Sequence, residues 1–430
     1  MPEPERERLL EQARQLDGQD GLRNFRDEFY LPETGLYFDG NSLGLLSRPA
    51  EQRLMQAIDD WKRLGIDGFT QGQAPWFYLA EELAALLAPL VGAAADEVIA
   101  ANSTSVNLHQ ILATFYRPEG KRTRIVIDEY AFPTDVYTIQ SQMRLHGLDW
   151  HSHLLTVKST QRLIEEDDIV ALLDAFQDEI AMLVVPGVVY TTGQLLDIAR
   201  LSEEAHQRGL LMCVDACHSI GSVPQQFDAW DVDFAVWCNY KYLNGGPGAV
   251  GGLYINRRHM GATPGLAGWF SSDKAKQFDM AHEPTFARTA GAYQIGTPPI
   301  LSMYALQASL EMFHSAGLDA IREKSLKQTR FLMELVKGEL AGMGFDLATP
   351  EADERRGGHV AVAHPEAARI NKALKQAGLI PDFRPPDIIR LAPIALYTRY
   401  EDIAHIILGL KSIMEREAYL EFPNVRDAVA

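Results

Sequence analysis

The residues best suited to chemistry in this chain fall in one stretch, Val214-Asp215-Ala-Cys-His218 followed by Tyr240-Lys241-Tyr-Leu-Asn-Gly-Gly-Pro-Gly248. Asp215 closes the apolar run Leu210-Leu-Met-Cys-Val214, which reads as a strand buried on both faces. Lys241 follows a second such run, Phe234-Ala-Val-Trp-Cys238. A buried carboxylate is costly unless a positive group meets it, and ligands of open α/β sheets bind beside the strand ends. An aldehyde on a protonated pyridine asks for these two groups, an acid for the ring nitrogen and a lysine for the carbonyl. The pair points to pyridoxal 5'-phosphate, with Lys241 as the lysine that bonds the aldehyde. The glycines and proline from Gly245 to Gly248 turn the chain sharply and let its backbone lie close to a ligand. Taken singly, Asp215 reads as a cap or turn residue and Lys241 as a solvated side chain; their placement at successive strand ends favours the cofactor.

Other candidates follow other strand-like runs. In Asn102-Ser-Thr104-Ser105-Val-Asn107 the hydroxyls either cap the next helix or, with its free N–H groups, hold a phosphate. Three consecutive hydroxyls favour the anion. In Tyr130-Ala-Phe132-Pro-Thr-Asp135, Phe132 suits stacking on a flat ring, while Asp135 also suits a helix cap. His218 reads equally well as a contact to the cofactor's ring oxygen or as a satisfied buried histidine.

These residues need a sheet to position them. Val98–Ala100, Ile125–Ile127, Met182–Val185, Leu211–Val214, Phe234–Cys238 and Val250–Ile255 read as short buried strands, with helical spacing between them, as in Leu108, Ile111, Leu112 and Phe115. That alternation predicts an α/β fold with a mostly parallel sheet. From Pro298 to about Leu340 the pattern is long and helical, broken at Gly317, and then becomes mixed. The expected division is residues 1–50 packing with a small domain, 51–305 as the large domain, and 306–430 as a linker helix and the small C-terminal domain. With 430 residues and 47% hydrophobic content, the chain can bury a large core. Its net charge of −18 argues against nucleic acid or an anionic membrane as partner. Cys213, Cys217 and Cys238 fall in or beside core strands, so no disulfide framework or metal motif follows. No run approaches membrane-spanning length, and the charged N-terminus has no apolar signal, so a cytoplasmic enzyme is expected.

The blocks Phe38-Asp-Gly-Asn-Ser-Leu-Gly44, Asn102 to Asn107, Phe132-Pro-Thr-Asp135, Gly193-Gln194, Asp215-x-x-His218, Trp237-Cys-Asn-Tyr240-Lys241-Tyr-Leu-Asn-Gly-Gly-Pro-Gly248, Gly268-Trp269-Phe270 and Arg390-Leu-Ala-Pro393 resemble those of the kynureninases, in order, from about residue 35 to about residue 400. The Tyr-Lys-Tyr-Leu-Asn block is the most specific, because other members of the aspartate-aminotransferase fold surround their lysine differently. The resemblance implies that fold (pyridoxal-phosphate fold type I): a large domain with a mostly parallel seven-stranded sheet and a smaller α+β domain. It also implies a homodimer with active sites at the interface. By resemblance, Lys241 bonds the cofactor, Asp215 partners its pyridine nitrogen, His218 lies beside the ring, and Thr104, Ser105 and Tyr240 surround the phosphate. Phe132 stacks on the ring, Asp135 is a further cofactor contact, and Trp269 and Thr297 complete the phosphate or substrate site from the second subunit. Arg390 clamps the substrate's α-carboxylate, which suits the paired donors of a guanidinium; Ser42, Phe69 and Thr297 lie beside the substrate.

The implied reaction is hydrolysis of L-kynurenine to anthranilate and L-alanine, with Tyr240 either as proton relay or as phosphate contact only. Phe69 and Thr297 stand where enzymes favouring 3-hydroxykynurenine tend to have His and Asn, so that substrate is expected to be accepted less readily. Pro186 replaces a hydroxyl residue of several relatives, which removes one contact to the cofactor without implying loss of function. Two rivals are another pyridoxal-dependent lyase or aminotransferase, such as a cysteine desulfurase, and a non-catalytic descendant of the fold. The first needs an exposed nucleophilic thiol on a mobile loop; the second has no use for Lys241, Asp215, Tyr240 and Arg390 together.

Overall fold

The computed structural model describes residues 3–427. Seven strands make the larger sheet: β1 (Val98–Ala100), β2 (Arg124–Asp128), β3 (Leu154–Val157), β4 (Ile180–Pro186), β5 (Leu211–Asp215), β6 (Phe234–Cys238) and β7 (Gly251–Ile255), in the order β1-β7-β6-β5-β4-β2-β3. Only β7 runs antiparallel to its neighbours. Parallel neighbours need a crossover, and the helices Thr104–Phe115, Pro133–Leu145, Glu166–Ala175 and Ile198–Gln207 supply the crossovers from β1 through to β5. The first is locked to the sheet by Phe115 stacking on Phe234 of β6, with ring centroids 4.3 Å apart. Apolar runs mark six of the strands. The edge strand β3 is the least enclosed, with only Val157 of its four residues buried.

Gly317 separates the helix Ile300–Ala316 from the helix Leu318–Glu339, as the pattern predicts. The hydrophobic cores divide within the second of these. Met303, Leu306, Leu310 and Ile321 pack with the large sheet, whereas Phe331, Leu332 and Val336 pack in a second core. A boundary at residue 306 therefore falls inside a helix that belongs to the larger core, and the transition comes later in the chain.

The second core lies against an antiparallel sheet of β8 (Asp346–Leu347), β9 (Val360–Ala363), β10 (Asp382–Arg384) and β11 (Ile388–Leu391), ordered β10-β11-β9-β8. Leu9, Leu10 and Ala13 of the helix Glu3–Gly18 also enter it. The Asp17 carboxylate accepts the N–H groups of Tyr400 at 2.7 Å and Glu401 at 3.0 Å, capping the helix Tyr400–Glu415 from a distant part of the chain. Leu36–Tyr37 pairs with Leu379–Ile380, and Asp39 bridges to Ala392, which lays the Phe38–Gly44 segment beside the end of β11. Among the described residues, no helix is long and apolar enough to cross a membrane.

Candidate active site

Parallel strands point their C-terminal ends the same way, so the segments after Ala100, Asp128, Pro186, Asp215 and Cys238 collect along one sheet edge. Asp215 pairs with Pro186 on one side and Val236 on the other, which puts its carboxyl in the middle of that edge. Oδ1 accepts the Cys217 N–H at 2.9 Å. Asp135 lies against it. Burial, then the charges of Asp215 and Asp128, hold the Asp135 carboxyl well above the usual range, so it stays protonated and hydrogen-bonds Asp215. Asp135 is inside the helix Pro133–Leu145, whose N-cap is Phe132, so the capping alternative falls away. Burial also pushes Asp128 up to about 7, and its Oδ2 has no hydrogen-bond partner. Three carboxyls converging in a buried place suit a ligand that brings its own positive charge.

The lysine sits on the neighbouring strand end. Gly246 and Gly248, at φ 91° and 68°, carry the turn through the left-handed region that glycine adopts without strain. Gly44 donates its N–H to the Tyr240 carbonyl at 2.7 Å, and a Cβ on it would stand 2.5 Å from the Lys241 carbonyl oxygen. That glycine lets the Phe38–Gly44 segment press directly on the Lys241 turn. Lys241 Nζ lies 2.9 Å from His218 Nε2 and 5.7 Å from the centroid of the Phe132 ring. Burial, then the charges of Lys241 and Arg390, hold the His218 imidazole well below its ordinary pKa. A neutral ring that accepts at Nε2 carries its proton on Nδ1. That nitrogen is buried without a partner, so His218 is not a satisfied core histidine. The Tyr240 hydroxyl is pushed up by burial, then by Cys238, and stays protonated.

Ser103 is the N-cap of the helix Thr104–Phe115, its hydroxyl accepting the Val106 N–H at 3.4 Å. The hydroxyls of Thr104 and Ser105 are thereby released from capping. They stand half-buried at the positive end of a 12-residue helix, with Ser105 Oγ 3.1 Å from Thr134 Oγ1. The unpartnered His218 nitrogen, the buried acids and these hydroxyls together fit the ring nitrogen, ring oxygen and phosphate of pyridoxal 5'-phosphate.

Arg390 comes from the small domain, on β11. Its Nη1 donates to the Tyr190 carbonyl at 2.8 Å and its Nη2 to Ser42 Oγ at 2.9 Å. The Tyr190 ring meets Phe132 edge-on at 5.2 Å and lies 6.3 Å from the His218 ring. Tyr190 thus joins the arginine to the lysine cluster. Sequence reasoning passed over it, although its place just after β4 is the signal that drew attention to Phe132 and His218. It also passed over Asp39, Asp382 and Arg384, which surround Arg390, and the buried His359, whose ring lies 5.8 Å from His218.

Three expected site residues stand apart. Phe69 packs edge-on against Trp76 at 5.3 Å, Trp269 is 46% exposed and packs on Phe270 and Phe278, and Thr297 is exposed. Among the described residues, no recorded ring contact or hydrogen bond joins them to Lys241 or Arg390. All three cysteines are buried. The hydrogen bond between Cys217 and Cys238 pushes the Cys217 thiol up; burial would raise Cys238 too, but that bond and Lys241 outweigh it and bring Cys238 down. Both are enclosed in the core, and neither is an exposed thiol on a loop.

Residues 321–410 match the family model described as the kynureninase C-terminal domain. The chain is 57% identical to the kynureninase of Geobacillus thermodenitrificans over 425 residues, covering 99% of each, and 54% identical to that of Bacillus anthracis over 421 residues, covering 98% of each. Among solved structures, it is similar to a C-DES mutant with glycine covalently linked to its PLP cofactor, with a TM-score of 0.78, 18% identity and coverage of 90% of this chain and 98% of that one. It is also similar to the apo cysteine desulfurase of Thermococcus onnurineus, with a TM-score of 0.73, 17% identity and coverage of 91% and 98%. At such identities the structural likeness speaks for the fold alone, pyridoxal-phosphate fold type I.

Proposed function

The chain belongs to the kynureninase family and is a pyridoxal-phosphate-dependent hydrolase that cleaves L-kynurenine to anthranilate and L-alanine; we propose that Lys241, Asp215 and Tyr240 carry the reaction and that Arg390 holds the substrate. The cofactor, when bound, supplies an electron sink for charge that develops at the substrate's Cα. Thr104, Ser105 and Tyr240 would hold its phosphate, Phe132 would cover its ring, and the unpartnered His218 Nδ1–H would donate to its ring oxygen. Asp215, buttressed by protonated Asp135, would keep its ring nitrogen charged. Lys241 Nζ takes the proton from Cα, with His218 Nε2 at 2.9 Å steadying the amine. Water adds to the γ-carbonyl carbon, and as the Cβ–Cγ bond breaks to release anthranilate the Tyr240 hydroxyl, kept protonated by burial, delivers a proton to Cβ of the alanine fragment and is reprotonated by the proton that the added water gives up. Tyr190 carries this reading: its carbonyl receives Arg390 while its ring faces His218, the partner of Lys241, so an amino acid's carboxylate and amine are met on two sides of one residue.

An apolar ring at Phe69 offers no hydrogen bond to a phenol, which supports a preference for kynurenine over 3-hydroxykynurenine. A homodimer is supported by exposed apolar residues on the helix Arg48–Leu64, where Met55, Ile58 and Trp61 recur every third position, and by exposed Phe278 and Met280 near Trp269. A second subunit meeting these surfaces brings Trp269, Thr297 and Phe69 to a site they do not reach within one chain. The net charge of −18 supports a small molecule, not nucleic acid or an anionic membrane, as the partner.

Incubation of the holoenzyme with kynurenine, 3-hydroxykynurenine, cysteine, and alanine plus a keto acid tests the assignment. Anthranilate should appear fastest from kynurenine. If no anthranilate or hydroxyanthranilate forms while cysteine yields alanine and sulfur, the desulfurase reading replaces it.

A further inference from the structure

We propose that Arg384 is a second specificity-determining cation for the substrate's α-carboxylate and that Asp382 is the positioning residue that sets both guanidiniums; this rests on the reading of Arg390 as the carboxylate clamp. The antiparallel register of β10 and β11 places Asp382 directly opposite Arg390, and alternation along β10 puts Arg384 on the same face as Asp382. Asp382 Oδ2 accepts Arg390 Nε at 2.5 Å and Arg384 Nε at 2.9 Å. One carboxylate oxygen therefore holds Nε of both side chains and also lies against Arg390 Nη2, which fixes both guanidiniums with a terminal nitrogen of each reaching the N-terminal segment. Those nitrogens meet at one hydroxyl: Ser42 Oγ lies 2.9 Å from Arg390 Nη2 and 3.4 Å from Arg384 Nη2.

Charge decides why two arginines are needed. Arg390 and Asp382 are both wholly buried and ion-paired, so together they present no net charge. A buried pair of this kind is weak as a stabilising device, but it pre-organises the fork that recognises a carboxylate. By itself it would attract an anion poorly. Arg384, with a side chain 26% exposed, adds the positive charge that the neutralised pair lacks. Asp39, beside the same cluster, is pushed up to about 6 by burial and by Asp382, so it offsets that charge where it ionises and leaves Arg384 uncompensated below about pH 6. The Ser42 hydroxyl then marks where the carboxylate lies, between the terminal nitrogens of the two forks.

The test uses the holoenzyme with Arg384→Met, Arg384→Lys, Asp382→Asn and Arg390→Met. A matched pair of competitive inhibitors is needed: a γ-aryl α-amino acid, and the amine of the same skeleton without the carboxylate. Loss of one charge-assisted contact corresponds to roughly a tenfold or larger change. Arg384→Met and Asp382→Asn should raise KM for kynurenine and the Ki of the amino acid by about that factor, with the Ki of the amine little changed; Arg384→Lys should recover part of the loss. A rise in both inhibition constants together would mean a merely structural role and would overturn the proposal. If Arg384→Met shifts neither constant while Arg390→Met shifts that of the amino acid, the proposal fails and the Arg390 reading stands. If Arg390→Met also has no effect, the clamp reading fails with it. Arg384 is partly exposed, so its variants decide the matter even if Asp382→Asn does not fold.

Discussion

Asp233 lies at the opposite end of the sheet from Asp215 and Lys241, and replacing it with Asn should weaken the frame that aligns them. It is 1% exposed and immediately precedes β6. Oδ2 accepts the N–H of Met212 in β5 at 2.7 Å and lies 2.9 Å from His206 Nε2; Oδ1 lies 2.6 Å from His259 Nε2 and accepts Arg258 Nη2 at 2.7 Å. The backbone carbonyl accepts the Asn256 N–H at 2.9 Å, just beyond β7. One residue thus ties together β5, β6 and β7, and the far ends of the first two present Asp215 and Lys241. Burial alone would raise the carboxyl's pKa; hydrogen bonds from His259, His206, the Met212 N–H and Arg258 outweigh it and bring it down from 3.8 to about 2. At 1.36 kcal/mol per unit, the ionised form contributes about 2 kcal/mol to stability. Because the folded value is the lower one, this contribution is complete above the unfolded value near 4 and is lost as pH falls through about 2. Urea denaturation of Asp233→Asn should show a deficit of about 2 kcal/mol at pH 7 that shrinks to roughly half that at pH 3. The same deficit at both pH values would show that packing, not the ionised carboxylate, holds the strand ends, and the reasoning would be wrong.

Lys241→Ala should abolish both anthranilate formation and the visible absorption of the bound cofactor; a surviving band would put the covalent link on another lysine. Asp39, facing Arg384, Arg390, Asp382, Tyr37, Tyr397 and Ser42, is raised to about 6 by burial and by Asp382. Its ionisation should set it competing with the substrate carboxylate, so KM should climb as pH passes upward through about 6. Asp39→Asn should flatten that climb, and an unaltered KM–pH profile would remove Asp39 from carboxylate recognition. Phe69→His should shift the ratio of kcat/KM values several-fold toward 3-hydroxykynurenine; an unchanged ratio would show that this side chain does not meet the aromatic ring.

The cofactor end of the site was legible because its signals are local. Asp215 and Lys241 each close an apolar run, and parallel strands bring such ends together whatever the rest of the chain does. The carboxylate end was only half legible. Arg390 stood out through the Arg-Leu-Ala-Pro393 block, but its partners depend on register: Asp382 meets it through a cross-strand pairing and Ser42 through a bridge from the N-terminal segment. No periodicity in Pro381-Asp-Phe-Arg384 announces an acid buried between two guanidiniums. Edge strand β3, Leu154-Leu-Thr-Val157, was missed because so short a segment carries no local signal that separates a strand from a loop, and its register on β2 is what identifies it.

The division of labour across the two cores follows from the same geometry. The large domain contributes the lysine, the acids and the hydroxyls, all on strand ends of one sheet, and these can hold a cofactor without the small domain. The small domain contributes Arg390, Asp382 and Arg384, and the Phe38–Gly44 segment links the two by pressing Gly44 on the Lys241 turn while Ser42 receives both arginines. On the proposed assignment, recognition of the α-carboxylate therefore requires the two cores in their packed relation, whereas the residues assigned to the cofactor all belong to the larger core's sheet. It follows that Ser42→Ala should act on substrate binding before it acts on the cofactor's absorption, whereas a side chain at Gly44 would strike the Lys241 turn and act on both.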